Sequence, residues 1–141
     1  MTFTFPSPEW AAELKKQLAL SAAYRQASAT WTFGAVALIT RADPAIGLPD
    51  DVGMWLDIDR GECREVRVVT RAEAEQAPFC ISGDYARWKL VLRRELEPIN
   101  AMMQKKLELK GQMTTIVKYV NASKELVEAA TRVPTRFLDE A

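Results

Sequence analysis

Phe79–Met113, FCISGDYARWKLVLRRELEPINAMMQKKLELKGQM, is the stretch on which the fold turns. Phe79 and Ile81 mark a short buried strand. Gly83 and Asp84 end it and cap a helix whose inward stripe is Tyr85, Trp88 and Leu92, helped by Val91. Pro98 sets the start of a second short helix with Ile99, Met102 and Met103 on one side. Leu107 and Leu109 then alternate with Glu108 and Lys110 in a strand that Gly111 terminates. The block is rich in large, flexible apolar side chains and holds no convincing acid–base or nucleophilic group. It points to an interior that accommodates an oily guest rather than to a reaction.

Toward the C-terminus, Met113, Ile116, Val117 and Val120 fall at helical spacing. A break is expected near Asn121 to Ser123, after which Leu126, Val127 and Ala130 continue a second helix that must end before Pro134. Toward the N-terminus, Ser7, Pro8 and Glu9 form a helix start, and Trp10, Leu14, Leu18 and Ala22 share one face of a helix running to about Tyr24 or Gln26. The run Thr30–Thr40 reads as a strand with a bulge at Gly34. Ala42 to Asp51 is a loop. Met54, Leu56 and Ile58 alternate with Trp55, Asp57 and Asp59, Arg60 and Gly61 turn the chain, and Val66 and Val68 alternate with Glu65 and Arg67. This is an antiparallel hairpin with one apolar and one largely charged face. Arg71 to Gln76 suits a single helical turn. Strands and helices are segregated, so the expected class is α+β: a mostly antiparallel sheet with helices on one face, in the order helix, three strands, strand, two helices, strand, two helices.

Composition narrows the function. A chain of 141 residues with 48% hydrophobic content is one ordinary domain, expected over 1–141. Lys and Arg number 19, as do Asp and Glu, for a net charge of zero. Such a chain lacks the basic footprint that phosphate backbones attract, and any membrane contact should be transient. Cys63 and Cys80 have no metal-ligand spacing, there is no histidine, and no metal site is expected; both thiols read as small buried hydrophobes. The N-terminus has no signal-peptide pattern and no run is long enough to span a bilayer, so a cytoplasmic protein is expected.

The block from Met54 through Met113 resembles the sterol carrier protein type 2 lipid-binding domain. The shared series is Gly83, Asp84, Trp88, then Leu96, Glu97 and Pro98, then Ala101 with Met103, then Lys106, Leu107 and Gly111. Relatives commonly carry glycine where this chain has Arg94 and Lys105, and an acidic residue or Asn at Gln112; these are turn and cap positions. The chain ends Asp139, Glu140, Ala141, without the peroxisomal tripeptide of eukaryotic relatives. The resemblance implies about five strands and an apolar tunnel between sheet and helices, with non-covalent binding of sterols, fatty acids, fatty acyl-CoA or phospholipids. Neither cofactor nor catalytic residue comes with it.

The expected tunnel lining is Leu14, Leu18, Leu92, Ile99, Met102, Met103, Met113, Ile116, Val117 and Val120. Methionine's unbranched, polarisable chain suits a wall that accepts several shapes, although a methionine stripe is also ordinary core. Arg25 and Gln26, at the end of the first helix, are candidates to meet a charged headgroup, against the plainer reading of a solvated helix end. Phe137 and Leu138 read either as a docked tail or as a lid. At ~0.8 kcal/mol per buried methylene, a sixteen-carbon chain gains about 12 kcal/mol gross, against association costs of about 4 to 15 kcal/mol. Apolar burial alone can therefore carry binding, with low selectivity. The partner expected is a lipid or other elongated apolar molecule, and the chain should be a monomer or weak homodimer. The alternative is an accessory subunit that presents a lipid such as a quinone precursor to partner enzymes; it requires an exposed apolar patch around Trp10 or Trp55.

Overall fold

Apolar alternation in the central hairpin decides the architecture. The computed structural model describes residues 1–140, so Ala141, the last residue of the expected domain, lies outside the described residues. In chain order the elements are β1 (Phe3–Phe5), α1 (Pro8–Leu20), α2 (Ala22–Ala27), β2 (Val36–Thr40), β3 (Val52–Asp59), β4 (Glu62–Val69), α3 (Arg71–Ala74), β5 (Phe79–Gly83), α4 (Tyr85–Leu92), α5 (Pro98–Met103), β6 (Glu108–Lys110), α6 (Met113–Ile116), α7 (Val120–Thr131) and β7 (Thr135–Phe137). Five strands form one sheet in the order β4-β3-β2-β5-β6. All its pairings are antiparallel except β2 with β5, where Ala37 lies opposite Cys80 and Leu38 opposite Ile81. The expected α+β class, with a mostly antiparallel five-stranded sheet, is what the chain forms.

Register sorts the side chains onto two faces. Leu38 opposes Met54, which opposes Val68, and Val36 opposes Leu56, which opposes Val66; all lie on the face that α1, α2, α4 and α7 cover. The other face, expected to be solvated, is not wholly so. Ala37, Ile39, Val69 and Cys80 bury there with Ala74 and Ala77, and Trp55 packs against them. The helix responsible is α3, held by a reciprocal cap in which Thr70 Oγ1 accepts from Glu73 N at 3.2 Å and Glu73 Oε1 accepts from Thr70 N at 3.4 Å. It sits so close that a Cβ on Gly53 would lie 2.9 Å from the Ala74 methyl carbon, which is why β3 carries glycine there.

Several boundaries depart from the sequence expectation for local reasons. The first helix is two helices, because Ser21 leaves helical geometry and accepts from Tyr24 N at 3.0 Å, restarting the chain as α2. The strand expected from Thr30 begins only at Val36, since Gly34 at φ 91° and the Trp31 indole, donating to the Gly34 carbonyl at 2.8 Å, turn the chain first. The break expected at Asn121 to Ser123 falls earlier, in a 3-10 turn at Val117–Tyr119, and α7 runs without interruption through those residues. The short parallel ribbon β1–β7, joining Phe3 to Thr135 and Phe5 to Phe137, has no counterpart in the sequence expectation; three-residue strands leave too little alternation to read.

Candidate functional site

Between the covered sheet face and the helices lies an apolar cavity of about 140 Å³. Its floor is the sheet: Val36, Leu38 and Thr40 from β2, Val52, Met54, Leu56 and Ile58 from β3, and Ile81 from β5. Its roof comes from every large helix. Trp10 and Leu14 project from α1, Tyr24 from α2, Trp88, Val91 and Leu92 from α4, and Ile99 and Met102 from α5, while Ile116, Tyr119, Ala122, Ser123, Leu126, Val127 and Ala130 follow from the C-terminal third. None of the lining residues is Lys, Arg, Asp or Glu.

The amphipathic groups in the wall turn their polar ends away. Trp10 Nε1 donates to Thr135 Oγ1 at 2.9 Å, Trp31 Nε1 to the Gly34 carbonyl at 2.8 Å, and Trp88 Nε1 to the Ile39 carbonyl at 2.9 Å. The Tyr119 hydroxyl lies 3.1 Å from Thr30 Oγ1. Each ring therefore offers carbon to the interior. Tyr24 is the exception in kind. Burial is the main cause that pushes its hydroxyl well above the ordinary tyrosine range, with the nearby Cys63 adding and the adjacent Ser28 hydroxyl opposing. The phenol is therefore a neutral group at any physiological pH.

The structure brings part of the expected lining together. Leu14, Leu92, Ile99, Met102 and Ile116 face the cavity. Leu18 is buried but packs in the main core, where α1 lies along β4. Met113, Val117 and Val120 are half-buried against that core rather than in the cavity wall. A 3-10 turn advances three residues per turn instead of 3.6, so the turn at Val117–Tyr119 rotates Tyr119 inward in their place. Met103 is corrected outright: it is 62% exposed, because α5 is only six residues long and Met103 falls on its outer side. Arg25 and Gln26 are also outside the cavity. Arg25 Nη1 donates to the Ala19 carbonyl across the break between α1 and α2, and both side chains are exposed. Phe137 lies elsewhere, over a shallow depression beside the cavity that shares Leu92 and Ala130 with it. There its ring is faced by Lys89 Nζ at 5.2 Å and Arg93 Cζ at 5.3 Å.

What sequence reasoning misses is the floor. Met54, Leu56 and Ile58 read as an apolar sheet face but not as cavity wall, and Trp31 and Trp88 read as core. Alternation shows which face is apolar; only the distance between that face and the helices shows whether space remains between them. The thiols are placed apart: Cys63 opposes Ile58 on the cavity side of the sheet, whereas Cys80 opposes Ala37 on the other. Burial pushes the Cys63 thiol up to about 11.

Comparison with known proteins agrees with this architecture. Residues 36–124 match the SCP-2 sterol transfer family. A crystal structure of sterol carrier protein 2 is 40% identical and superposes with a TM-score of 0.83, covering 90% of this chain and 97% of that one. A solution structure of a protein from Thermus thermophilus, described as possibly a sterol carrier protein, is 39% identical, with a TM-score of 0.83 and coverage of 92% and 90%. A ubiquinone synthesis protein, UbiJ-SCP2, shares the fold at 16% identity and a TM-score of 0.53, covering 84% of this chain and 87% of that one. No curated protein matches the sequence. The chain belongs to the SCP-2 sterol transfer family.

Proposed function

We propose that this member of the SCP-2 sterol transfer family binds an elongated apolar molecule, a sterol, an acyl chain or a similar lipid, and carries it without altering it. The observation that carries the reading is the cavity wall, which draws on the sheet and on both the N-terminal and C-terminal helices yet includes no charged residue. Leu14, Leu92, Ile99, Met102 and Ile116 are the expected ligand contacts, joined by Met54, Leu56 and Trp88 from the floor and α4. We read residues 1–141 as one domain for this purpose, acting in the cytoplasm as a monomer or weak homodimer with brief membrane contact. No helix among the described residues is long and apolar enough to cross a membrane.

Size sets a condition. A void of ~150 Å³ lined by aliphatic and aromatic side chains takes a guest the size of benzene. The cavity of about 140 Å³ therefore holds a short apolar body as it stands and must widen for a long chain. The elements that can yield are α5, six residues long, and α6 with its 3-10 continuation. Met102 on α5 suits such a wall because its side chain repacks at low cost.

Presentation of a lipid to partner enzymes is the less favoured reading. It requires an apolar patch around Trp10 or Trp55, but Trp10 is 2% exposed and the Trp55 ring is covered by Arg67, whose Cζ lies 5.5 Å from its centroid. Native mass spectrometry of protein purified from its source tests the carrier reading: a retained lipid and uptake of fluorescent sterol or fatty-acid analogues are expected. Protein that retains nothing and takes up neither analogue overturns it; co-purification with a stable partner enzyme favours presentation.

A further inference from the structure

Resting on the lipid-binding reading, we propose that the outer face of α4 and α5 docks on an anionic bilayer, so that the cavity loads and unloads through the wall that α5 provides. The zero net charge of the chain conceals an uneven distribution. Residues 85–106 carry six cationic side chains against two carboxylates, Glu95 and Glu97, a net charge of +4. Glu97 is turned inward: one of its oxygens accepts from Asn100 N at 2.6 Å and the other is buried. Lys89 and Arg93 are held by Asp139 and Glu140, and Arg94 by Glu128. Arg87, Lys105 and Lys106 are the cations of this face that no carboxylate engages among the described residues.

Arg87 joins the two helices, its Nη1 donating to the Lys106 carbonyl at 2.6 Å. Leu90 stands one turn after Arg87 on α4, and Met103 stands three residues before Lys106 at the end of α5, so both fall beside that contact. Leu90 is 40% exposed and Met103 62%, large apolar side chains set in water among cations. That is the composition of an interfacial surface, whose apolar tips enter the acyl boundary while its cations meet the phosphates. The opposite side of α5 presents Ile99 and Met102 to the cavity. One six-residue helix thus separates this face from the guest, and the chain takes left-handed geometry on both sides of it, at Arg94 and Lys105. The rival surface is α1, where Lys15, Lys16 and Leu20 are exposed; there Lys16 is paired with Glu13, and the whole helix lies along β4.

The test is co-sedimentation with vesicles of phosphatidylcholine, with and without phosphatidylserine, together with the rate at which a fluorescent sterol leaves those vesicles for the protein. Binding and faster transfer are expected with phosphatidylserine, and both should fall as salt is raised. Each cation near an anionic surface strengthens association about fivefold, so Lys105→Gln with Lys106→Gln is expected to weaken vesicle binding roughly 25-fold. Met103→Ser, at a position already in water, is expected to weaken it about tenfold. Neither change should alter the equilibrium affinity for fluorescent sterol added without vesicles, whereas a merely structural role would alter that too. Lys15→Gln with Lys16→Gln removes the same charge from α1 and should leave vesicle binding unchanged. Equal binding to both vesicles, or loss of binding in the α1 variant rather than the α5 variant, overturns the proposal. Protein that ignores vesicles yet takes up sterol also overturns it, leaves the lipid-binding reading standing and assigns this face to a protein partner. Protein that binds the phosphatidylserine vesicles but takes up neither sterol nor fatty acid brings down the lipid-binding reading, and loading through α5 with it.

Discussion

The Tyr85 hydroxyl donates to the Phe5 carbonyl at 2.7 Å and so joins the start of α4 to the N-terminal strand across 80 positions of sequence. The same oxygen accepts from Leu138 N at 2.9 Å, which brings the C-terminal segment to the same point. Phe5, Tyr85 and Phe137 pack their rings around it at 5.9 to 6.4 Å. Tyr85→Phe keeps the rings and removes both bonds, leaving the buried Phe5 carbonyl without this donor. A loss of about 1–3 kcal/mol is expected in urea denaturation, with faster hydrogen exchange at the Leu138 amide. An unchanged midpoint would show that the hydroxyl contributes nothing net.

Arg94 and Lys105 sit at φ 60° and 61°, in left-handed geometry that costs an L-residue about 1–2 kcal/mol. These are the two positions where the resemblance noted in the sequence leads one to expect glycine. Lys105→Gly should therefore raise stability by about 1 kcal/mol after glycine's own entropic cost. Arg94→Gly should gain less, since it gives up the exposed ion pair with Glu128 at 2.7 Å, worth about 0–1 kcal/mol. Denaturant midpoints for the two variants decide it, and a loss at Lys105 would refute the strain.

Ala122 lines the cavity from α7, so a longer aliphatic chain there is the simplest way to add carbon to that space. Filling void at roughly 24 cal/mol per Å³ means that a fully filled 140 Å³ is worth about 3 kcal/mol. Ala122→Leu should recover about 1 kcal/mol of that as a higher melting temperature, and it should weaken uptake of fluorescent lipid. A variant that melts lower would indicate that the space at Ala122 is too narrow for the added carbons.

Alkaline pH should destabilise the protein in a defined order. A group whose pKa is raised on folding supports the native state below its unfolded pKa and withdraws that support as pH climbs through the folded value. For Cys63 the window opens near ~8.5, the ordinary thiol value, and closes at about 11. For Tyr24 it opens near ~10 and extends higher. Thermal melts from about pH 8 to 11 should fall steadily, and Cys63→Ala should flatten the lower part of that fall. In the native protein the half-buried Cys63 thiol should alkylate slowly at about pH 8 because its pKa is raised; rapid labelling would contradict that raised pKa.

Much of this architecture is legible in the residues, and the limits have physical causes. The alternation of Met54, Leu56 and Ile58 identifies the inner sheet face, and the cap at Asp84, which accepts from Arg87 N at 2.9 Å, fixes the start of α4. Helical spacing fails where geometry changes without a change in composition. Ser21 interrupts a run that reads as continuous helix, and the 3-10 turn at Val117–Tyr119 swings Tyr119 to the position that a regular helix would give Val117 or Val120. Met103 shows a further limit, since a six-residue helix has an outside even when its sequence is apolar. The headgroup role expected of Arg25 depends on where the end of the first helix points, and the break at Ser21 redirects it.

The parallel ribbon of β1 with β7 bears on how the molecule assembles. Neighbours such as Trp10 and Thr135, whose side chains bond at 2.9 Å, are 125 positions apart, so the ribbon closes only after nearly the whole chain has been drawn together. The entropic cost of loop closure on that scale precedes any contact that offsets it, which places the ribbon late in folding and early in any partial opening. Beside it lies the depression that shares Leu92 and Ala130 with the cavity, so local release of the last strand would thin that wall while the sheet stays intact.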